Sequence, residues 1–75
     1  MSHLEIYIDG ASKGNPGHSG VGIVIYRDGL RIKYLSNYIG IATNNVAEYT
    51  AFIYALEEAL LLKTRSLKLI PIASF

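Results

Sequence analysis

The sequence contains no cysteine. Neither disulfides nor thiolate zinc sites can therefore reinforce the core, and any metal must be held by oxygen or imidazole ligands. Charge is also scarce, at 17% of residues with a net of +1. That excess is too small to mark a nucleic-acid binder by bulk electrostatics, although a local basic loop can still meet a phosphate backbone. Long apolar runs are missing as well: nothing approaches the roughly 20 residues of a membrane span. The opening Met-Ser-His-Leu-Glu has no basic segment leading into an apolar stretch, so the expectation is a soluble, cytoplasmic protein with no membrane partner.

What remains is a 75-residue chain that is 51% hydrophobic, which favours a packed segment over disorder. A chain this short forms one small domain and buries only roughly 60% of its unfolded surface. Leu4, Ile6 and Ile8 alternate with Glu5, Tyr7 and Asp9, the period of a strand over 3–9. The glycine-rich stretch from Gly10 to Gly20, which also holds Pro16, reads as a turning loop after Asp9. A second strand is expected over 20–27 and a third over 30–38, joined by a hairpin turn at Asp28-Gly29. Ala47, Ala51, Ala55 and Ala59 recur every fourth residue, which predicts a helix over 44–63. Thr43, Asn44 and Asn45 supply its start, and Lys63 belongs to its last turn, where a cation suits the helix dipole. Tyr49 and Tyr54 take core-like positions in it. A fourth strand over 66–72 would lie parallel to the first through a right-handed helical crossover. Pro71 argues against it, because proline cannot donate to a ladder.

Few residues suggest chemistry by type alone. Asp9 before Gly10 is an ordinary turn pair where a strand ends. Asn45-Val-Ala-Glu48 fits a capping box, in which Glu48 would bond back to the helix N-cap amide. His3 and His18 stand beside no cluster of ligands, and a lone loop lysine such as Lys13 is ordinarily just solvated.

Longer segments say more. Tyr7-Ile-Asp-Gly-Ala-Ser-Lys-Gly-Asn-Pro-Gly17, Gly20-Val-Gly-Ile-Val-Ile25 and Thr43-Asn-Asn-Val-Ala-Glu-Tyr-Thr-Ala51 stand in one chain in this order. Together they resemble the opening of a prokaryotic ribonuclease H domain over about residues 4–62. The resemblance implies cleavage of the RNA strand of an RNA/DNA hybrid by two divalent metals, Mg²⁺ or Mn²⁺, held by four carboxylates. Asp9 and Glu48 match the first two, as metal ligands and catalytic residues. Hard cations take oxygen ligands, and two of them about 3.5–4 Å apart activate a water and stabilise the leaving oxygen. Gly10, Lys13, Gly14, Asn15, Asn44 and Asn45 match the substrate side, where short amides and exposed backbone suit the minor groove and the 2′-hydroxyls.

After the first helix the family continues with a strand ending in a motif such as Tyr-Ser-Asp-Ser-Glu-Leu, whose Asp is the third ligand. Here the corresponding stretch is Leu69-Ile-Pro-Ile-Ala-Ser-Phe75, with no carboxylate after Glu58. Back-translated from the third base of the Leu69 codon, it permits that motif, which predicts a frameshift between about Lys63 and Leu69. The expected fold is thus α/β mixed and ribonuclease H-like but truncated: one partial domain over 1–75, with a divergent tail over 63–75. The expected chain is inactive alone. Alternatives are a noncatalytic nucleic-acid-binding module and a self-associating relic. Uncovered sheet and the apolar tail Leu67–Phe75 predict a homo-oligomer.

Overall fold

The computed structural model describes residues 3–72. They form β1 (His3–Gly14), β2 (Gly17–Arg27), β3 (Leu30–Ala42), α1 (Asn44–Leu61) and β4 (Ser66–Pro71). The sheet order is β3-β2-β1-β4. β1 pairs antiparallel with β2 and parallel with β4, and β2 pairs antiparallel with β3. The mixed α/β expectation, with β4 parallel to β1, describes what is seen.

Alternation along β1 and β2 decides which face is covered. Leu4, Ile6 and Ile8 of β1 and Val21, Ile23 and Ile25 of β2 are buried on one side. α1 lies on that side, and its buried residues are the four alanines at 47, 51, 55 and 59. Methyl side chains let the helix settle close to the sheet, so the branched residues beneath fill the space between. Leu4, Ile6, Ile23 and Ile25 are the largest fully buried side chains, each contributing about 1.5–3 kcal/mol by leaving water.

Several expected boundaries move. β1 does not end at Asp9: it runs to Gly14, and the expected loop is the tip of a β1–β2 hairpin that pairs out to Lys13↔His18 and Gly14↔Gly17. Glycine spacing in this stretch serves close packing more than turning, since a Cβ on Gly17 would meet the Lys13 carbonyl oxygen at 1.8 Å. At the other end of β2, Asp28 and Gly29 both have positive φ, 50° and 87°, as the sequence pair demands. The Asp28 carboxylate then accepts from the His3 amide at 3.0 Å, tying that turn to β1.

β3 is longer than expected, reaching Ala42, and its register with β2 skips Ile32 and Ile39. α1 is shorter. Its N-cap is Thr43, whose Oγ1 accepts from the Val46 amide at 3.2 Å. Position N3 is therefore Val46, and Glu48 is not the carboxylate of a capping box. Leu62 is the C-cap, and Lys63 follows in a left-handed conformation (φ 51°), outside the last turn where the dipole argument placed it. Tyr54 packs against the core, and its hydroxyl accepts from Asn37 at 2.9 Å. Tyr49 does not: it points to solvent.

Pro71 is tolerated for a geometric reason. The Ile72 amide donates to the Ile8 carbonyl at 2.8 Å, so by alternation the nitrogen of residue 71 faces the open edge of β4. No ladder bond is lost there. Of the tail assigned to self-association, Ala73 to Phe75 lie outside the described residues. Among the described residues, no helix is long and apolar enough to cross a membrane.

Candidate nucleic-acid and metal site

Gly10 sets the position of the site. A Cβ at this residue would stand 2.1 Å from the Ala47 carbonyl oxygen and 2.7 Å from the Glu48 nitrogen. Only a bare Cα lets the first turns of α1 press onto β1 here. The neighbours of that contact, Asp9 on the strand and Glu48 on the helix, consequently line a single cleft. Asn45, Tyr49, Phe52, Pro71 and Ile72 complete most of its wall.

Asp9 Oδ1 is buried and has no hydrogen-bond partner in the structure. A buried carboxylate oxygen left in this state costs free energy, which a cation or a donor from a ligand would offset. Glu48 lies on the exposed side of α1. Carboxylate oxygens from two different elements thus face one opening, a donor set that suits a hard divalent cation. The set is small: among the described residues no three His, Cys, Asp or Glu side chains form a group able to hold a metal. β4 could have supplied a third. Its register places residue 72 beside Asp9, following the Ile8↔Pro71 pair, and that residue is Ile72.

Asp9 also borders a second groove, which runs past Ser12, Lys13, His18, Asn37, Tyr38 and Asn44. A chain of bonds ties the hairpin tip to the start of α1 along it. Asn15 Oδ1 accepts from the Asn44 amide at 2.9 Å, and Asn44 Oδ1 accepts from the Ser12 amide at 3.3 Å. The Ser12 and Ser19 hydroxyls both donate to the Ala42 carbonyl, at 2.9 and 3.1 Å. Both Asn side chains are committed through their oxygens, which leaves their amino groups as the donors for a ligand. Gly14, with φ 96°, shapes the hairpin tip and lines neither concavity.

The residues singled out from sequence therefore divide into two groups. Asp9, Gly10, Asn45 and Glu48 meet in the cleft; Lys13 and Asn44 line the groove, with Asn15 behind them. His18 was given no partner by sequence, yet its Nδ1 is hydrogen-bonded to the Tyr38 hydroxyl (2.9 Å) on the groove wall. Period-two alternation carried back to Gly17 would have shown that His18 shares the face of Gly20 and Gly22.

The family model for RNase H matches residues 1–71. Ribonuclease HI of Halobacterium salinarum is 52% identical over 57 residues, 75% of this chain and 29% of that protein. A putative hydrolase EbsB of Enterococcus faecalis is 47% identical over 57 residues, 76% of this chain and 42% of that protein. Among solved structures, RNase H1 from Halobacterium salinarum superposes with a TM-score of 0.87 at 41% identity, covering 96% of this chain and 55% of that one. LC11-RNase H1 in complex with an RNA/DNA hybrid gives 0.83 at 39% identity, covering 95% of this chain and 55% of that one. The chain thus spans less than half the length of these curated relatives.

Proposed function

The chain belongs to the ribonuclease H family, and on that premise we propose that its fold serves cleavage of the RNA strand of RNA/DNA hybrids. These 75 residues supply a hybrid-binding surface and two of the metal carboxylates, but do not turn over substrate by themselves. The observation that carries this reading is the partnerless buried oxygen of Asp9, held in one cleft with Glu48. A related protein of the same fold, LC11-RNase H1, is known in complex with an RNA/DNA hybrid.

Asp9 and Glu48 would hold Mg²⁺ or Mn²⁺. Such an ion, when bound, supplies a water activated at neutral pH and charge to stabilise the leaving oxygen. The chain's own residues do the rest. Asp9 brings a carboxylate with one oxygen buried, where its interaction with a cation is less screened than at the surface. Asn15, Asn44 and Asn45 offer amide donors for the minor groove and the 2′-hydroxyls, and Lys13 offers a charge to a phosphate. Gly10, buried beneath the first turns of α1, positions Asp9 and Glu48, and Gly14 leaves backbone exposed at the hairpin tip. Ile72, apolar and beside Asp9, is the reason to expect weak metal binding and no turnover.

Two measurements test the proposal. Fluorescence anisotropy with a labelled RNA/DNA hybrid should show binding that weakens as salt rises and falls with Lys13→Ala, and gel analysis in Mg²⁺ or Mn²⁺ should show no cleavage. Calorimetric titration of Mn²⁺ should give weak binding, lost in Asp9→Asn and strengthened at least tenfold, about 1.4 kcal/mol, in Ile72→Asp. Equal affinity for hybrid in the wild type and Lys13→Ala, with Mn²⁺ binding indifferent to Asp9→Asn, refutes the assignment.

A further inference from the structure

β2 opens its buried series on a serine. Ser19, Val21, Ile23 and Ile25 alternate along the face that α1 covers, and the last three are aliphatic. Ser19 is 3% exposed, the one buried polar residue among the described residues. An alanine would occupy this place without taking a hydroxyl out of water, a transfer that is unfavourable unless the hydroxyl is hydrogen-bonded. The bonds that Ser19 makes therefore show what it does.

Ser19 Oγ lies 2.8 Å from the Gly17 carbonyl and 3.1 Å from the Ala42 carbonyl. The Ser12 hydroxyl, from β1, meets the same Ala42 oxygen at 2.9 Å and also contacts the Gly14 carbonyl. Each hydroxyl has one proton, so the carbonyls of residues 14, 17 and 42 share the protons of Ser12 and Ser19, with Ala42 as the common acceptor. The β2–β3 pairing is interrupted at the same place. Ser19 stands opposite Gly40 and Gly20 opposite Tyr38, which leaves Ile39 as the extra residue of a β-bulge. Gly40 takes a φ of 90°, a conformation that favours glycine. Bulges bend a strand and re-aim what comes after them. What comes after this one is the N-cap Thr43, then Asn44 and Asn45.

The structure assigns Ser19 and Ser12 as positioning residues, a clasp of two hydroxyls on the Ala42 carbonyl that fixes the direction in which the bulged end of β3 delivers the start of α1. Further bonds complete the clasp. Ser12 holds Ala42 through its hydroxyl and Asn44 Oδ1 through its amide, and the Asn44 amide donates to Asn15 Oδ1. The buried alanines from 47 onward seat the body of the helix on the sheet. Residues 42–44 precede them and are tied to the hairpin tip by these bonds. Asn15 on the tip and Asn44 on the helix are thereby held at one separation.

This assignment rests on the reading of cleft and groove as a hybrid-binding surface. On that reading the clasp governs selectivity more than attraction. Amide donors at a fixed separation reach 2′-hydroxyls and base edges only in a minor groove of matching width. That groove is wide and shallow in an A-form-like hybrid and about 6 Å wide in B-form DNA. Lys13, by contrast, attracts the phosphates of either duplex.

Two measurements on the 75-residue chain test the clasp, both made well below the melting temperature so that every variant is folded. Ser19 touches neither Asn15 nor Asn44 directly, so the amide resonances of those two residues should move in Ser19→Ala only if the clasp transmits the change, while those of Ile6 at the sheet centre stay in place. By fluorescence anisotropy, the ratio of affinities for an RNA/DNA hybrid and a DNA duplex of the same sequence should fall roughly three- to tenfold in Ser19→Ala and in the half-buried Ser12→Ala, the factor that one hydrogen bond commonly supplies. The double variant should lose less than the product of the two, because both hydroxyls serve one carbonyl. Ser12→Thr, which keeps the hydroxyl, should hold the wild-type ratio, and Lys13→Ala should weaken both affinities without changing it. Resonances of Asn15 and Asn44 that stay in place in Ser19→Ala, or a ratio unchanged in both alanine variants while their stability falls, overturn the assignment, since the hydroxyls then serve the fold alone. A wild-type chain that binds neither duplex, or both equally, refutes the hybrid reading instead, and the clasp then stands or falls on the resonances.

Discussion

Replacing Gly10 with alanine adds one methyl group where the helix and the sheet touch most closely. That carbon would lie 2.1 Å from the Ala47 carbonyl oxygen and 2.4 Å from its carbon, against 3.4 Å for the near limit of ordinary contact. The backbone must therefore retreat by about 1.3 Å, 3.4 less 2.1. The neighbour is main chain inside a hydrogen-bonded helix, so no side chain can rotate out of the way. Tilting α1 loosens the alanine packing at 47 and 51 first, which places the cost at the upper end of the about 1–3 kcal/mol seen for overpacked cores. A 75-residue domain has roughly 4–11 kcal/mol in hand, so the loss is a large share. In urea, with a slope near 1 kcal/mol per molar for a small protein, the midpoint should fall by about 2–3 M at unchanged slope. Mn²⁺ affinity should fall with it, because Asp9 and Glu48 flank the contact. A Gly10→Ala chain within about 0.5 kcal/mol of wild type, a typical surface effect, would refute the argument that a bare Cα sets this approach.

Three further substitutions probe separate links. Asp9→Asn removes the charge from a half-buried carboxylate whose Oδ1 is buried without a partner and should raise unfolding free energy by up to about 1 kcal/mol in metal-free buffer; a decrease measured by denaturant titration would mean that the carboxylate is satisfied in solution. Lys63→Gly should stabilise by about 0.5–1 kcal/mol, since the φ of 51° at Lys63 suits glycine; an unchanged melting temperature would show that the left-handed cap is not populated. Thr43→Ala should cost about 1 kcal/mol through the lost bond to the Val46 amide, a loss that Thr43→Ser should largely avoid. If both variants melt alike, the cap is not where the energy lies.

Periodicity was enough to read three strands, one helix and a hairpin turn, because each signal is local: alternation at Leu4, Ile6 and Ile8, a four-residue repeat of alanine, Asp-Gly between two β-branched runs. The fourth strand stood against Pro71, and its parallel return followed from the crossover rule. The motifs around Asp9 and Glu48 likewise identified the family, since the order of the segments survives in the linear chain. Register does not. Whether Gly10 turns the chain or cradles a helix depends on what lies above it, and the Ala47 backbone is 37 residues away in sequence. The same holds for Pro71, harmless because its nitrogen faces the outer edge of β4, and for Ile72, which became part of the site only when β4 docked beside Asp9. Val46, Tyr49, Ile53, Leu56 and Leu60 also recur at helical spacing, so the sequence offers both that stripe and the alanine stripe as a core face. Only packing against the sheet decided between them, because short side chains let α1 approach closely and left the larger ones facing water.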